Sequence, residues 1–144
     1  MKQFKAIFVA ALLMSSLVSF AQSIKSNQCD GVPVVLRISD IVNGGSVEGV
    51  KKAAQMHEAW YRNNGVMKNR QVIGEVYTTD GRNITADNSK VVSLHINRPS
   101  PDEGTATRNW GDAGFKEFVA QYNKNSKVTN EINVCFPKGV FTGY

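Results

Sequence analysis

An α+β domain with the element order β-α-β-β-α-β is what this sequence predicts, folded as a four-stranded antiparallel sheet with two helices on one face. Three observations carry that prediction. Four segments alternate apolar and polar residues with a period of two, and two others repeat apolar residues at helical spacing. The helical segments fall after the first strand and after the third, with a hairpin signal between the second and third.

The chain opens with a leader. Lys2 and Lys5 precede an apolar run from Ala6 through Phe20, and Ser19-Phe20-Ala21 fits the small-x-small rule of signal peptidase. Met1 to Ala21 (1–21) is therefore read as a cleavable signal peptide. The run falls short of the roughly 20 apolar residues that a spanning helix needs, and Ser15, Ser16 and Ser19 dilute it. Export to the periplasm or the medium is expected, with no membrane insertion after cleavage. Residues 22–31 form a polar tether, and 32–144 form one domain, since about 120 residues suffice for a single modest core.

The first strand is Val32 to Val42, in which Val34, Leu36 and Ile38 alternate with Val35, Arg37 and Ser39. Asn43-Gly44-Gly45 breaks it; these glycines before a helix resemble an anion site, but a simple turn accounts for them. Ser46 is placed as an N-cap, and Glu48 in the first turn suits the helix dipole. The first helix follows from Val47 with the stripe Val50, Ala54, His57 and Tyr61, Ala53 and Trp60 alongside, and Gly65 as its stop. Gln71 to Thr78 is a strand, Asp80-Gly81 a turn, and Lys90 to Asn97 the next strand. Arg98 to Gly111 is an aperiodic loop with Pro99 and Pro101. Asp112 caps a second helix whose stripe is Phe115, Phe118, Val119 and Tyr122, fading near Asn125. Glu131 to Phe136 closes the set, and Val140 to Tyr144 is compatible with a short fifth strand.

This order is that of ferredoxin-like folds, in which the last strand lies antiparallel beside the first. The start of one then meets the end of the other, where Cys29 and Cys135 lie. An even pair in an exported chain reads as one disulfide, with free thiols or an interchain link as alternatives. In the chain-entropy model such a bridge contributes up to ~4 to 5 kcal/mol.

With Met56-His57-Glu58-Ala59-Trp60-Tyr61-Arg62-Asn63-Asn64-Gly65 ending the first helix, this order resembles the dimeric α/β-barrel superfamily of small ferredoxin-like proteins, over roughly Val32 to Tyr144. The resemblance implies a homodimer whose sheets face each other around a ligand-holding lumen. Members include antibiotic-biosynthesis-type monooxygenases, haem-degrading enzymes and proteins without known activity. Fold does not fix function, so the resemblance supplies an architecture and a place to look.

On the alternation, Val34, Leu36, Ile38, Val72, Val76, Val92, Leu94, Ile96, Ile132, Val134 and Phe136 are expected to face the helices. The opposite face then gathers Val35, Arg37, Ile73, Glu75, Tyr77, Val91, Ser93, His95 and Asn133. On this face Arg37 is the candidate anion anchor, His95 a candidate acid or base, and Glu75, Tyr77 and Ser93 further ligand contacts. The competing reading makes Arg37 and Glu75 a cross-strand ion pair on a packed face. His57 is a second candidate acid or base, but its helical spacing suits a packed residue between helix and sheet. Arg98, Arg108 and Trp110 in the loop suit an anionic or aromatic partner, and Trp110 equally suits a plug at the base of the second helix.

No metal site is expected, because neither cysteine nor histidine has a second ligand at short spacing. No Gly-x-Ser-x-Gly elbow, phosphate loop or Cys-x-x-Cys occurs, and no cofactor is called for. The net charge of +5 falls to +3 when Lys2 and Lys5 leave with the leader and no acid does. The remaining basic residues are scattered, which gives nucleic-acid binding no support. Asn83-Ile84-Thr85 is a glycosylation acceptor that matters only in a eukaryotic secretory pathway. The expectation is an exported dimer that binds a small ligand in a sheet-lined cavity. A cofactor-free monooxygenase-like enzyme and a structural or interaction module are the alternatives.

Overall fold

In chain order the elements are β1 (Val32–Ile41), α1 (Val47–Asn63), β2 (Arg70–Asp80), β3 (Asn83–Ile96), α2 (Ala113–Asn125) and β4 (Ser126–Phe136). They belong to a computed structural model that describes residues 28–99 and 109–141. The leader 1–21, residues 22–27 of the tether, Arg108 and residues 142–144 lie outside the described residues. The four strands form one sheet in the order β2-β3-β1-β4, and every neighbouring pair is antiparallel. This is the ferredoxin-like layout. Val140 and Phe141 lie in a turn, so no fifth strand begins where one was expected.

Local chemistry sets the helix ends. The Ser46 side chain accepts from the Gly49 amide at the start of α1. At its end the Val66 amide reaches the Tyr61 carbonyl and the Gly65 amide reaches that of Arg62, the Schellman pattern. Gly65 takes φ 80°, a conformation that a Cβ would penalise. Asp112 caps α2 by accepting from the Phe115 amide, and its carboxylate also accepts from Trp60 Nε1 at 3.0 Å, tying the cap of one helix to the body of the other.

The far end of α2 is tied to the start of α1. Asn125 Oδ1 accepts from the Ser46 amide, Asn125 Nδ2 donates to the Gln121 carbonyl, and the Val42 amide donates to the Asn125 carbonyl. A Cβ on Gly49 would stand 1.9 Å from Asn125 Oδ1, so only glycine lets the helices approach this closely.

The described cysteines are joined: Cys29 and Cys135 form a disulfide, with Cα atoms 5.6 Å apart. Cys135 pairs with Pro33 in the β1–β4 register, so the bridge sits where the first strand starts and the last ends. β4 begins at Ser126, directly after α2 and five residues before the expected start at Glu131.

The helices cover the sheet face opposite to the one expected. Val35, Arg37 and Ser39 share a face with His95, Ser93 and Val91 through direct cross-strand pairs. The rings of His57 and Tyr61, on α1, lie 4.9 and 5.5 Å from that of His95. Leu36, Ile38, Val92, Leu94 and Ile132 therefore point away from the helices, and Ile132 is 46% exposed. The physical reason is volume. The helices bring Trp60, Tyr61, Phe118 and Tyr122, and serines and valines on the sheet leave room for those rings where a row of leucines and isoleucines would not.

Candidate functional site

Between the sheet and the two helices lies a cavity of about 760 Å³. β1 contributes Arg37 and Ser39, β3 Val91, Ser93 and His95, α1 Val50, His57 and Tyr61, and α2 Phe115, Phe118, Val119 and Tyr122. Arg98 and Trp110 reach it from either end of the segment between β3 and α2, and Lys127 and Val128 from the start of β4. Its size falls in the range of small-molecule sites, and its walls combine aromatic rings with a few polar groups, as such sites do.

His57 lies flat against Phe118, with centroids 4.1 Å apart and planes 14° apart, and stacks at 5.1 Å on Tyr61. Burial, with the nearby Arg37 and Arg98 charges, lowers its pKa from 6.5 to about 3, so the ring is neutral. His95 is 2% exposed, and burial, reinforced by His57 and the two arginines, holds it well below the ordinary value.

Asn69, fully buried in the segment between α1 and β2, sets the state of the His95 ring. Its Nδ2 lies 2.6 Å from His95 Nε2 and 3.2 Å from the Ile96 carbonyl, while its Oδ1 accepts from Gln71 Nε2 at 2.9 Å. The nitrogen that reaches a carbonyl is the donor, so His95 Nε2 accepts and the neutral ring carries its proton on Nδ1.

Arg37 Nε donates to Glu131 Oε2 at 2.5 Å, directly across the β1–β4 pair. This replaces the expected Arg37–Glu75 alternative. Glu75 instead pairs with Lys51 of α1 at 3.1 Å and accepts from the Tyr77 hydroxyl at 3.2 Å. Arg98 enters the cavity because Asn97 takes φ 52°, a left-handed turn that ends the strand and redirects the chain. The Arg98 guanidinium hydrogen-bonds the Tyr61 side chain, and burial draws its pKa below the ordinary value. Burial raises the pKa of the Tyr61 and Tyr122 hydroxyls, which are therefore neutral donors as well as acceptors.

Among the described residues, the buried side-chain polar atoms without a hydrogen-bond partner are His57 Nδ1, His95 Nδ1 and Glu131 Oε1. Two of them sit on histidines that line the cavity, and the third on the carboxylate that holds Arg37 from outside the lining. Folded proteins leave few such atoms, and each calls for an explanation.

Of the residues singled out in the sequence, Arg37, Ser93, His95 and His57 come together here, and Arg98 and Trp110 join them. Trp110 also packs against the Trp60, Tyr61 and Phe118 cluster, as a plug at the base of the second helix would. Glu75 and Tyr77 do not line the cavity. The β2–β3 register breaks between them, and Tyr77, 56% exposed, lies on the ribbon beyond. Asn69 and Glu131 were missed. Asn69 carries no signal in a loop of mixed polarity, whereas Glu131 was one strand away from Arg37 and legible once the β1–β4 register was known. Comparison with family models, curated proteins and solved structures finds no match.

Proposed function

We propose that this protein is an exported binder of a small, largely apolar ligand held in the cavity between sheet and helices. The observation that carries the reading is an aromatic-walled cavity of about 760 Å³ on which a few polar side chains converge, Arg37, Ser93, His57 and His95 among them. Such a combination of apolar walls and few polar groups is what small-molecule sites share. Export is supported by the leader, by the Cys29–Cys135 bridge, and by the absence among the described residues of any helix long and apolar enough to cross a membrane.

Binding is favoured over catalysis by the histidines. A general base works best with a pKa near the operating pH, and His57 at about 3 is a weak one. The cofactor-free monooxygenase reading needs a stronger base than either histidine provides in the unliganded site. The proposal includes a homodimer of the α/β-barrel type, built on the aliphatic face of Leu36, Ile38, Val92, Leu94 and Ile132. Each protomer would then keep its own cavity, away from the interface.

The test is binding of a neutral solvatochromic dye to the mature protein, with native mass spectrometry for a retained molecule. Wild type should bind the dye, and Ser93→Phe or Val119→Trp, which fill the cavity from opposite walls, should not, while both keep a cooperative melt. Equal dye binding by wild type and two folded plug variants would refute the cavity as the site.

A further inference from the structure

We infer that Asn43 is a self-modifying site, whose amide converts to a mixture of aspartate and isoaspartate while Asn64 is spared. The chain holds an asparagine followed by glycine at these two places, Asn43-Gly44 and Asn64-Gly65, and nowhere else.

The chemistry makes two demands on the structure. The Gly44 backbone nitrogen attacks Cγ of Asn43, a bond forms between them, the Cγ–Nδ2 bond breaks, and ammonia leaves with the proton that the Gly44 amide gives up. Water then opens the cyclic imide. Opening at Cγ gives aspartate, and opening at the main-chain carbonyl gives isoaspartate, whose main chain runs through Cβ and Cγ. The side chain must therefore be able to fold back on the next nitrogen, and that nitrogen must be unshielded. Glycine, with no Cβ, shields it least.

Asn43 meets both demands. It is exposed, as is Gly44, and among the described residues no hydrogen bond engages its side chain or the Gly44 amide. One bond closes the turn, from the Gly45 amide to the Val42 carbonyl at 2.8 Å, and Gly44 takes φ 79° with open space where a Cβ would stand.

Asn64 meets neither. Its Nδ2 donates to the Trp60 carbonyl at 2.8 Å, its Oδ1 accepts from Asn109 Nδ2, and the Gly65 amide donates to the Arg62 carbonyl at 3.0 Å. Three bonds must open there, against one at Asn43. At roughly fivefold per hydrogen bond, the difference slows Asn64 by about 10- to 100-fold relative to Asn43.

The product matters because the turn has no slack. Gly45 lies so close to the Asn125 backbone that a Cβ would collide with it, the Val42 amide donates to the Asn125 carbonyl, and the Ser46 amide donates to Asn125 Oδ1. Isoaspartate lengthens the main chain by a methylene inside this tie between β1, α1 and α2, and aspartate does not. Isoaspartate at position 43 therefore loosens the corner where Val42 borders the cavity.

The experiment incubates the mature, disulfide-bonded protein in mildly alkaline ¹⁸O-water and follows the two asparagine peptides by mass spectrometry. Isoaspartyl methyltransferase with labelled S-adenosylmethionine counts the isoaspartate. The Asn43 peptide should gain acid and ¹⁸O about 10- to 100-fold faster than the Asn64 peptide, and unfolding in urea should bring the two rates together. Asn43→Gln should remove the methyl-accepting site. Similar rates in the folded protein, a faster Asn64, or an Asn43 amide that persists while the unfolded chain converts overturns the assignment. The isoaspartyl fraction, resolved by ion exchange, should unfold at lower urea than Asn43→Asp, which carries the charge without the extra methylene. An equal midpoint overturns the loosening of the corner.

Discussion

Acidification from about pH 7 to about pH 5 should destabilise the fold mainly through the two buried histidines. His57 has a folded pKa of about 3 against an ordinary 6.5, so between those values the unfolded chain holds a proton that the folded one does not. Stability therefore falls as pH drops through 6.5 and continues to fall until about pH 3, by about 1.4 kcal/mol per pH unit once well below the ordinary value. Integrated from pH 7 to pH 5, His57 alone removes about 2 kcal/mol, and His95 acts in the same direction. The carboxylates Glu75 and Asp87 are held below their ordinary 4.5 and 3.8 by hydrogen bonds from Lys51 and Ser89, so their contributions fade only in more acid solution. The pH 5 to 6.5 window thus belongs to the histidines. Urea unfolding followed by tryptophan fluorescence, with the disulfide intact, measures the effect. His57→Phe keeps a flat ring between Tyr61 and Phe118 and should remove roughly half of the slope. A flat stability profile over this window, or an unchanged slope in a folded His57→Phe variant, would refute the assignment of a buried neutral His57.

Three further outcomes are expected. Gly49→Ala should cost about 1 to 3 kcal/mol by driving Asn125 from its bonds to Ser46 and Gln121, and most of that cost should vanish in an Asn125→Ala background, which a double-mutant cycle in urea reads directly. Replacing Cys29 and Cys135 with alanine should cost about 2 to 5 kcal/mol, measured by the shift in urea midpoint, without changing dye binding, because neither residue lines the cavity. Sedimentation of the mature protein should give a dimer, and Ile132→Asp should shift it toward monomer with the fold preserved. A wild-type monomer would refute the barrel-type assembly.

The order of elements was legible because most of its signals are local. The cap at Ser46, the cap at Asp112 and the stop at Gly65 each act within a few residues of the chain. The early start of β4 was not legible: Ser126 to Asn130 lies at the sheet edge, mostly exposed, and an edge strand needs no apolar alternation. The choice of sheet face was also hidden. Alternation says which residues share a side, but the side the helices take depends on whether their rings fit, a property of paired surfaces. Arg37, Ser93, His95 and His57 could be named as candidates because polar residues interrupt apolar patterns there. Asn69 could not, since its role depends on a histidine 26 residues away.

The junction at Asn125 and Ser126 has a mechanical consequence. With no linker between them, α2 and β4 form one bracket, anchored to α1 through Asn125 and to β1 along the sheet. Phe118 and Tyr122 on one arm and Lys127 and Val128 on the other border the same cavity. Widening it at this corner means shifting a helix and a sheet edge together, which a hinge in a connecting loop would otherwise spare. Slow amide exchange should therefore continue from the last turn of α2 into those β4 amides that bond to β1, making this corner a fixed jaw against which any occupant is held.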